Sequence, residues 1–113
     1  MADTEALTRN YIDAINRRDW DTVAGLLDHD SIHHYAGGEA SGPAGIVEVY
    51  KMLSEQMGWQ IVVHDIASTD SWAATLHRNE FSDGSFEVCT SARLRDGKVV
   101  EMWTVGMPPP PAA

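Results

Sequence analysis

The stretch Tyr11-Ile12-Asp13-Ala14-Ile15-Asn16-Arg17-Arg18-Asp19-Trp20-Asp21 decides how the chain is read. Leu7, Tyr11, Ala14 and Ile15 recur at helical spacing, so a first helix runs to about Asn16. Asp3 or Thr4 caps its start, because a side-chain oxygen there accepts from a free backbone N–H. Asp19 is a second N-cap. Trp20, Val23, Ala24 and Leu27 follow it at i, i+3, i+4 and i+7, the stripe of a short second helix. Two helices with so short a joint form a hairpin, and their apolar faces need a third surface.

That surface is written downstream. Residues 31–35 read as a short strand ended by Gly37 and Gly38. Ser41, Gly42 and Pro43 open a third helix: serine as cap, proline in the first turn where its missing N–H costs nothing. Ile46, Val49, Tyr50, Leu53 and Met57 form its apolar stripe, and Gly58 stops it. Residues 61–66, 72–81, 86–94 and 99–105 read as strands. A turn-like run at 68–71 separates the first two, and Asp83-Gly84 and Asp96-Gly97 join the others as hairpins. The order is helix, helix, strand, helix, then a four-stranded meander. Helices segregated onto one antiparallel sheet make an α+β domain. No internal repeat is visible. Four prolines at 108–111 cannot join a ladder, so residues 1–106 read as one domain and 107–113 as an extended, disordered tail.

Composition narrows the function. At 113 residues the chain is one domain and can bury roughly two-thirds of its unfolded surface. Lys+Arg number 8 against 17 Asp+Glu, a net charge of −9. The few cations are scattered, which speaks against nucleic acid and against an anionic membrane. One cysteine, Cys89, makes neither an internal disulfide nor a cysteine-rich metal site. Residues 1–10 lack the apolar core of a signal peptide, and no apolar run approaches the roughly 20 residues that span a bilayer. The expectation is a cytoplasmic protein without cofactor or metal.

The opening stretch resembles the Y-x-x-A-h-N-x-x-D-h-D start of the nuclear transport factor 2-like superfamily. Ser41-Gly42-Pro43-Ala44-Gly45-Ile46 resembles its third-helix entry. Arg93-Leu94-Arg95-Asp96-Gly97-Lys98-Val99-Val100-Glu101-Met102-Trp103 is similar to its closing F-R-x-x-D-G-K-I-x-x-x-W hairpin. The resemblance covers residues 4–105 and is nearest to the SnoaL-like polyketide cyclases and ketosteroid isomerases. It implies a cone-shaped curved sheet wrapped around the long third helix, with an N-terminal helical hairpin and a deep apolar pocket. It also implies a homodimer through the sheet. This fold hosts enzymes and binding modules alike, so activity rests on the site.

Position by position, the resemblance gives Tyr11 the place of the isomerase tyrosine that donates to a developing oxyanion. Tyr35 stands where the isomerase has its aspartate base, and Thr90 where it has a protonated aspartate. The cyclases carry an acid directly after the closing tryptophan; here Trp103 precedes Thr104. The Asp/Arg/Asp set of limonene-epoxide-hydrolase relatives is not recognisable. A phenol is a poor base at neutral pH.

Histidine titrates nearest neutrality, and His29, His33 and His34 cluster around the first strand. In a strand His33 and Tyr35 share one face and His34 the other. His33 is thus the candidate base, with Tyr11 and Tyr35 as hydrogen-bond donors. A metal held by His33 and His34 is not expected, because neighbouring strand residues diverge. The expected substrate wall is Leu53, Met57, Trp59, Val63, Leu76, Arg78, Val88, Thr90, Met102 and Thr104, mostly apolar and suited to a small hydrophobic molecule. One register choice is open: Leu76 with Arg78 and Glu80 inward, or His77 inward if a bulge intervenes.

Three readings follow. The first is a small-molecule isomerase, cyclase or dehydratase acting on an apolar oxygenated substrate. The second is a non-catalytic ligand-binding or dimerisation module of the same fold, suggested by the missing carboxylates. The third is an adaptor working through its proline-rich tail.

Overall fold

Asp3 accepts a hydrogen bond from the Ala6 N–H and starts α1, Thr4–Asn16. Asp19 does the same for α2, Trp20–Leu26, bonding both the N–H and the hydroxyl of Thr22. The joint is short because Arg18 takes a left-handed backbone, φ 63°. The computed structural model describes residues 3–107. The proline run expected as an extended tail lies outside them.

The remaining elements are β1 Leu27–Tyr35, β2 Gly38–Ser41, α3 Gly42–Met57, β3 Gln60–Ser68, β4 Trp72–Phe81, β5 Gly84–Arg95 and β6 Lys98–Gly106. They form a six-stranded sheet ordered β2-β1-β6-β5-β4-β3. All neighbours are antiparallel except β1 and β6, which run parallel. The α+β architecture and the meander match the sequence reading. β2 does not: the sequence reads Gly37 and Gly38 only as a stop. Gly37, at φ 91°, instead turns the chain so that residues 38–41 pair back onto β1.

This pairing also changes the start of α3. Ser41 is extended and paired with Ile32 in the ladder, and its side chain makes no capping bond. Pro43 still sits in the first turn. At the other end Gly58 is left-handed, φ 67°, as a helix stop requires; a Cβ there would meet Ser82 Oγ at 3.2 Å.

Register shifts between Leu27 and Ile32, Val63 and Asp65, and Arg93 and Leu94 interrupt the ladders. Such bulges bend and twist strands, and the open sheet curls over the helices. Asn16 fastens α1 to it: its amide donates to the Ile61 carbonyl and accepts from the Ile61 N–H, both at 2.9 Å. Ile15, Val23 and Ile46 are wholly buried between helices and sheet, with Leu27 and Val99 beside them. Among the described residues no helix is long and apolar enough to cross a membrane.

Candidate functional site

Between α1, α3 and the inner face of the sheet lies a cavity of about 250 Å³. Helix α1 lends it Thr8, Tyr11, Ile12 and Ile15, and α3 lends Val49, Tyr50, Met52 and Leu53. The sheet supplies His33, Thr75, His77, Asn79, Thr90, Ala92, Val99, Met102 and Thr104, with Trp59 and Ile61 at one end. The wall is mainly apolar and contains neither Asp nor Glu.

Six of its polar side chains form a single file. The hydroxyls of Tyr11 and Tyr50 lie 2.8 Å apart. Tyr50 meets Nδ1 of His33 at 2.7 Å, and Nε2 of the same ring meets Thr104 Oγ1 at 2.7 Å. Thr104 reaches Thr90 Oγ1 at 2.8 Å, and Thr90 reaches Nε2 of His77 at 2.8 Å. Six side chains from α1, α3, β1, β6, β5 and β4 are thereby joined in sequence. Within the file Nδ1 of His77 is buried without a partner; elsewhere among the described residues the hydroxyls of Ser31 and Ser54 are too. Nearby, Trp59 Nε1 donates to Asn79 Oδ1 at 3.0 Å.

Burial fixes the charge state. It pushes the His33 pKa down to about 4, with the charges of His34 and His77 adding to it. Burial likewise takes His77 down to about 4, opposed by the Asn79 side chain. Burial, and then the neighbouring phenol of Tyr50, raises Tyr11 well above the usual tyrosine value. Tyr50 is raised by burial too. At neutral pH all four are uncharged, so the cavity holds proton donors and acceptors without a net charge.

His33 and Tyr35 share the inner side of β1, as the alternation predicts, and their rings meet edge-on at 6.2 Å. Tyr35 stands at the rim, 37% exposed. His34 points outward, stacked on Trp103 and bonded to Glu101 at 2.7 Å. Both His33 nitrogens are engaged, so a proton reaches or leaves that ring through Tyr50 or Thr104.

Leu53, Trp59, Thr90, Met102 and Thr104 line the cavity. Five others expected there do not. The continuous β4–β5 register, from Trp72 opposite Arg93 to Phe81 opposite Gly84, turns Ala73, Thr75, His77 and Asn79 inward. Leu76 therefore lies on the outer face, 43% exposed, and Arg78 is out there with it, paired to Glu80 at 3.0 Å and Glu87 at 4.0 Å. The open register choice resolves to His77. Val88 is buried opposite His77 in the ladder but beyond the cavity. Val63 packs against the core outside it. Met57, in the last helical turn, is 39% exposed.

Tyr50 escaped the sequence reading as a functional group, because it sits in an apolar helical stripe. Its one signal is a hydroxyl on a face otherwise made of Ile46, Val49 and Leu53. Among the described residues no cluster of three or more His, Cys, Asp or Glu is placed to hold a metal ion.

The same fold recurs among solved structures. A protein assigned as a ketosteroid isomerase, from Kribbella flavida, is 23% identical with a TM-score of 0.82, covering 95% of this chain and 82% of its own. One assigned as a polyketide cyclase, from Sinorhizobium meliloti, is 13% identical with a TM-score of 0.82, covering 88% and 94%. An LEH-like epoxide hydrolase from M. tuberculosis is 18% identical with a TM-score of 0.80, covering 90% and 80%. At these identities the likeness is one of fold. No curated protein matches the chain. The sequence profile of the SnoaL-like domain matches residues 8–102, nearly the whole of the described fold, and the chain belongs to that family.

Proposed function

We propose that the protein is a small-molecule enzyme of isomerase, cyclase or dehydratase type. Its substrate is an apolar oxygenated molecule held in the cavity. The observation that carries this reading is the file of uncharged acid–base groups in a largely apolar chamber. Such groups, close to their partners and screened from water, are suited to moving a proton on and off carbon or oxygen. Tyr11 donates to a substrate oxygen. His33 is the base, exchanging its proton through the hydroxyls that flank it, and Tyr35 donates from the rim. Solved structures of this fold bearing isomerase, cyclase and epoxide hydrolase assignments support a small-molecule role. The chemistry differs from carboxylate-based catalysis, since Tyr35, Thr90 and Thr104 stand where the resemblance led one to expect acids. Proton transfer of this kind needs side chains alone.

The test is turnover on a panel of enones, β-keto compounds and epoxides. With a substrate found, His33→Ala should lower kcat by about 100-fold or more, the usual range for a general acid–base group. Unchanged turnover in both His33→Ala and Tyr35→Phe would remove them from the mechanism.

A binding or dimerisation role is favoured by a separate feature, the outer sheet face. Trp72, Leu76 and Val105 are 43%, 43% and 56% exposed there, and Trp72 stacks on Trp103. Leu76, Cys89 and Val105 form one cross-strand row. Apolar rows in the middle of a sheet face suit a second copy of the same surface. Light scattering is expected to give the mass of two chains, and Leu76→Glu that of one. A single-chain mass for the unsubstituted protein refutes the dimer.

A further inference from the structure

The file of hydrogen bonds has a property that none of its members has alone. Tyr11, Tyr50, Thr104 and Thr90 each carry one hydroxyl proton, and each neutral histidine carries one ring proton. Five bonds join the six groups. Two proton arrangements run through the whole file in a single direction, and these are the ones that leave both ends open to the cavity. In the first, His77 donates from Nε2 to Thr90, Thr90 to Thr104, Thr104 to Nε2 of His33, Nδ1 of His33 to Tyr50, and Tyr50 to Tyr11. The Tyr11 proton is then free for the cavity, and Nδ1 of His77 is a bare lone pair. In the second every donation reverses: Tyr11 gives its proton to Tyr50, and His77 carries its proton on Nδ1. A third arrangement, in which Tyr50 accepts from both His33 and Tyr11 and turns its own proton to Met102 Sδ at 3.9 Å, keeps the ring tautomers of the first and offers the cavity no proton.

We propose that Tyr11 and His77 are the two coupled ends of one proton relay, so that the cavity gives up a proton at Tyr11 as it takes one at His77. This deepens the acid–base reading of the cavity and rests on it. The step balances without a net charge. A substrate C–H or O–H bond breaks and its proton goes to Nδ1 of His77. The Nε2 proton passes to Thr90, the Thr90 proton to Thr104, and the Thr104 proton to Nε2 of His33. The Nδ1 proton of His33 passes to Tyr50, the Tyr50 proton to Tyr11, and the Tyr11 proton bonds to a substrate oxygen. The substrate loses a proton at one atom and gains one at another, which is a tautomeric shift. The reverse passage, delivering to a different carbon, completes an isomerisation and resets the file.

Two further observations mark His77 as a working end. Its Nδ1 is buried with no bond of good geometry, the Asn79 side chain being near enough only to raise the ring's pKa, and such a condition costs free energy unless something satisfies it. It also belongs to a cavity-lining ring, with Asn79 in the next inward position of the strand and held by the Trp59 N–H. His33, by contrast, has no free nitrogen and is an internal link. The relay thus places the entry of the substrate proton at Nδ1 of His77, and His33 does its acid–base work through its flanking hydroxyls, as the link that passes the proton along the file.

The experiment is ring-nitrogen NMR on the ¹⁵N-labelled full chain at pH 7.5, where long-range nitrogen–proton correlations report each tautomer. His33 and His77 are expected to show opposite tautomers: Nδ1–H with Nε2–H, or Nε2–H with Nδ1–H. Thr90→Val, which cuts the file, should change the tautomer ratio of at least one ring by twofold or more, and Thr90→Ser should restore it. The same tautomer in both rings of the unsubstituted protein overturns the relay, whether or not the variant folds. So does a Thr90→Val spectrum with both ratios unchanged. Neither outcome depends on turnover: a failed relay leaves the cavity enzyme standing, and a missing substrate leaves the relay standing.

Discussion

Taking the protein from pH 7 to pH 5 is expected to remove up to about 4 kcal/mol of unfolding free energy. The cause is the pair of buried histidines. An unfolded histidine titrates near 6.5, and His33 and His77 are held down to about 4 in the folded state. Between those values the unfolded chain binds protons that the native state refuses, so stability rises with pH and falls as pH drops. At pH 5 the solution lies about 1.5 units below the unfolded pKa of each ring and still above the folded one, worth about 2 kcal/mol apiece. The loss levels off below about 4, where the folded rings also charge. Asp19 and Glu101, whose carboxyls are held low by the Thr22 and His34 hydrogen bonds respectively, act at lower pH and do not set this window. Urea unfolding followed by tryptophan fluorescence at pH 7 and pH 5 measures the difference. His77→Phe should remove about half of it. A free energy that is flat from pH 7 to 5 would mean that the rings are not buried neutral.

The second large effect is expected at Tyr50. Its hydroxyl serves two buried neighbours at once, Tyr11 and Nδ1 of His33. Tyr50→Phe keeps the ring and its edge contacts with Tyr11 and Trp59, at 6.2 and 5.2 Å, but strands both neighbours. A buried polar group left unpaired costs about 1–3 kcal/mol, so stranding two should cost about 2–6 kcal/mol. Tyr11→Phe removes an end of the file and strands nothing but one lone pair of Tyr50, which still has His33 and the Met102 sulfur. It should cost about 1 kcal/mol. Denaturant midpoints of the two variants give the comparison, and equal losses would deny Tyr50 its bridging role.

The order of destabilisation follows from residues whose importance the sequence shows unequally. Asn16 and Asp19 were visible as motif letters. One pairs with both backbone groups of Ile61 and the other caps α2, so local chemistry and fold agree. His33 and Tyr35 on one face and His34 on the other followed from strand alternation alone. Leu76 and Arg78 did not go where expected, because size is a poor guide to facing in a sheet with an apolar outer surface. Trp72 and Leu76 occupy that surface, and the smaller Ala73 and Thr75 leave room for the cavity. Which set faces inward depends on pairing with β5, a non-local fact. β2 was hidden for the same kind of reason: four residues after a glycine turn become a strand only because β1 offers them an edge. The missing carboxylates were legible. The hydrogen-bonded file was not, since its six members come from six elements.

The parallel pairing of β1 with β6 bears on how the site comes into being. β3 to β6 are a meander of short hairpins, and α1 with α2 is another local unit, so each closes small loops. Joining the two halves is different: His33 and Thr104, bonded at 2.7 Å, are 71 residues apart in the chain. Closing so long a loop carries the largest entropy cost in the topology and offers its reward only once β1 docks. Tyr11, Tyr50 and His33 arrive on one half, and Thr104, Thr90 and His77 on the other. The hydrogen-bonded file is therefore split across the junction that closes this long loop. A partly folded chain with an intact meander and an intact helical hairpin has every group needed and no site at all.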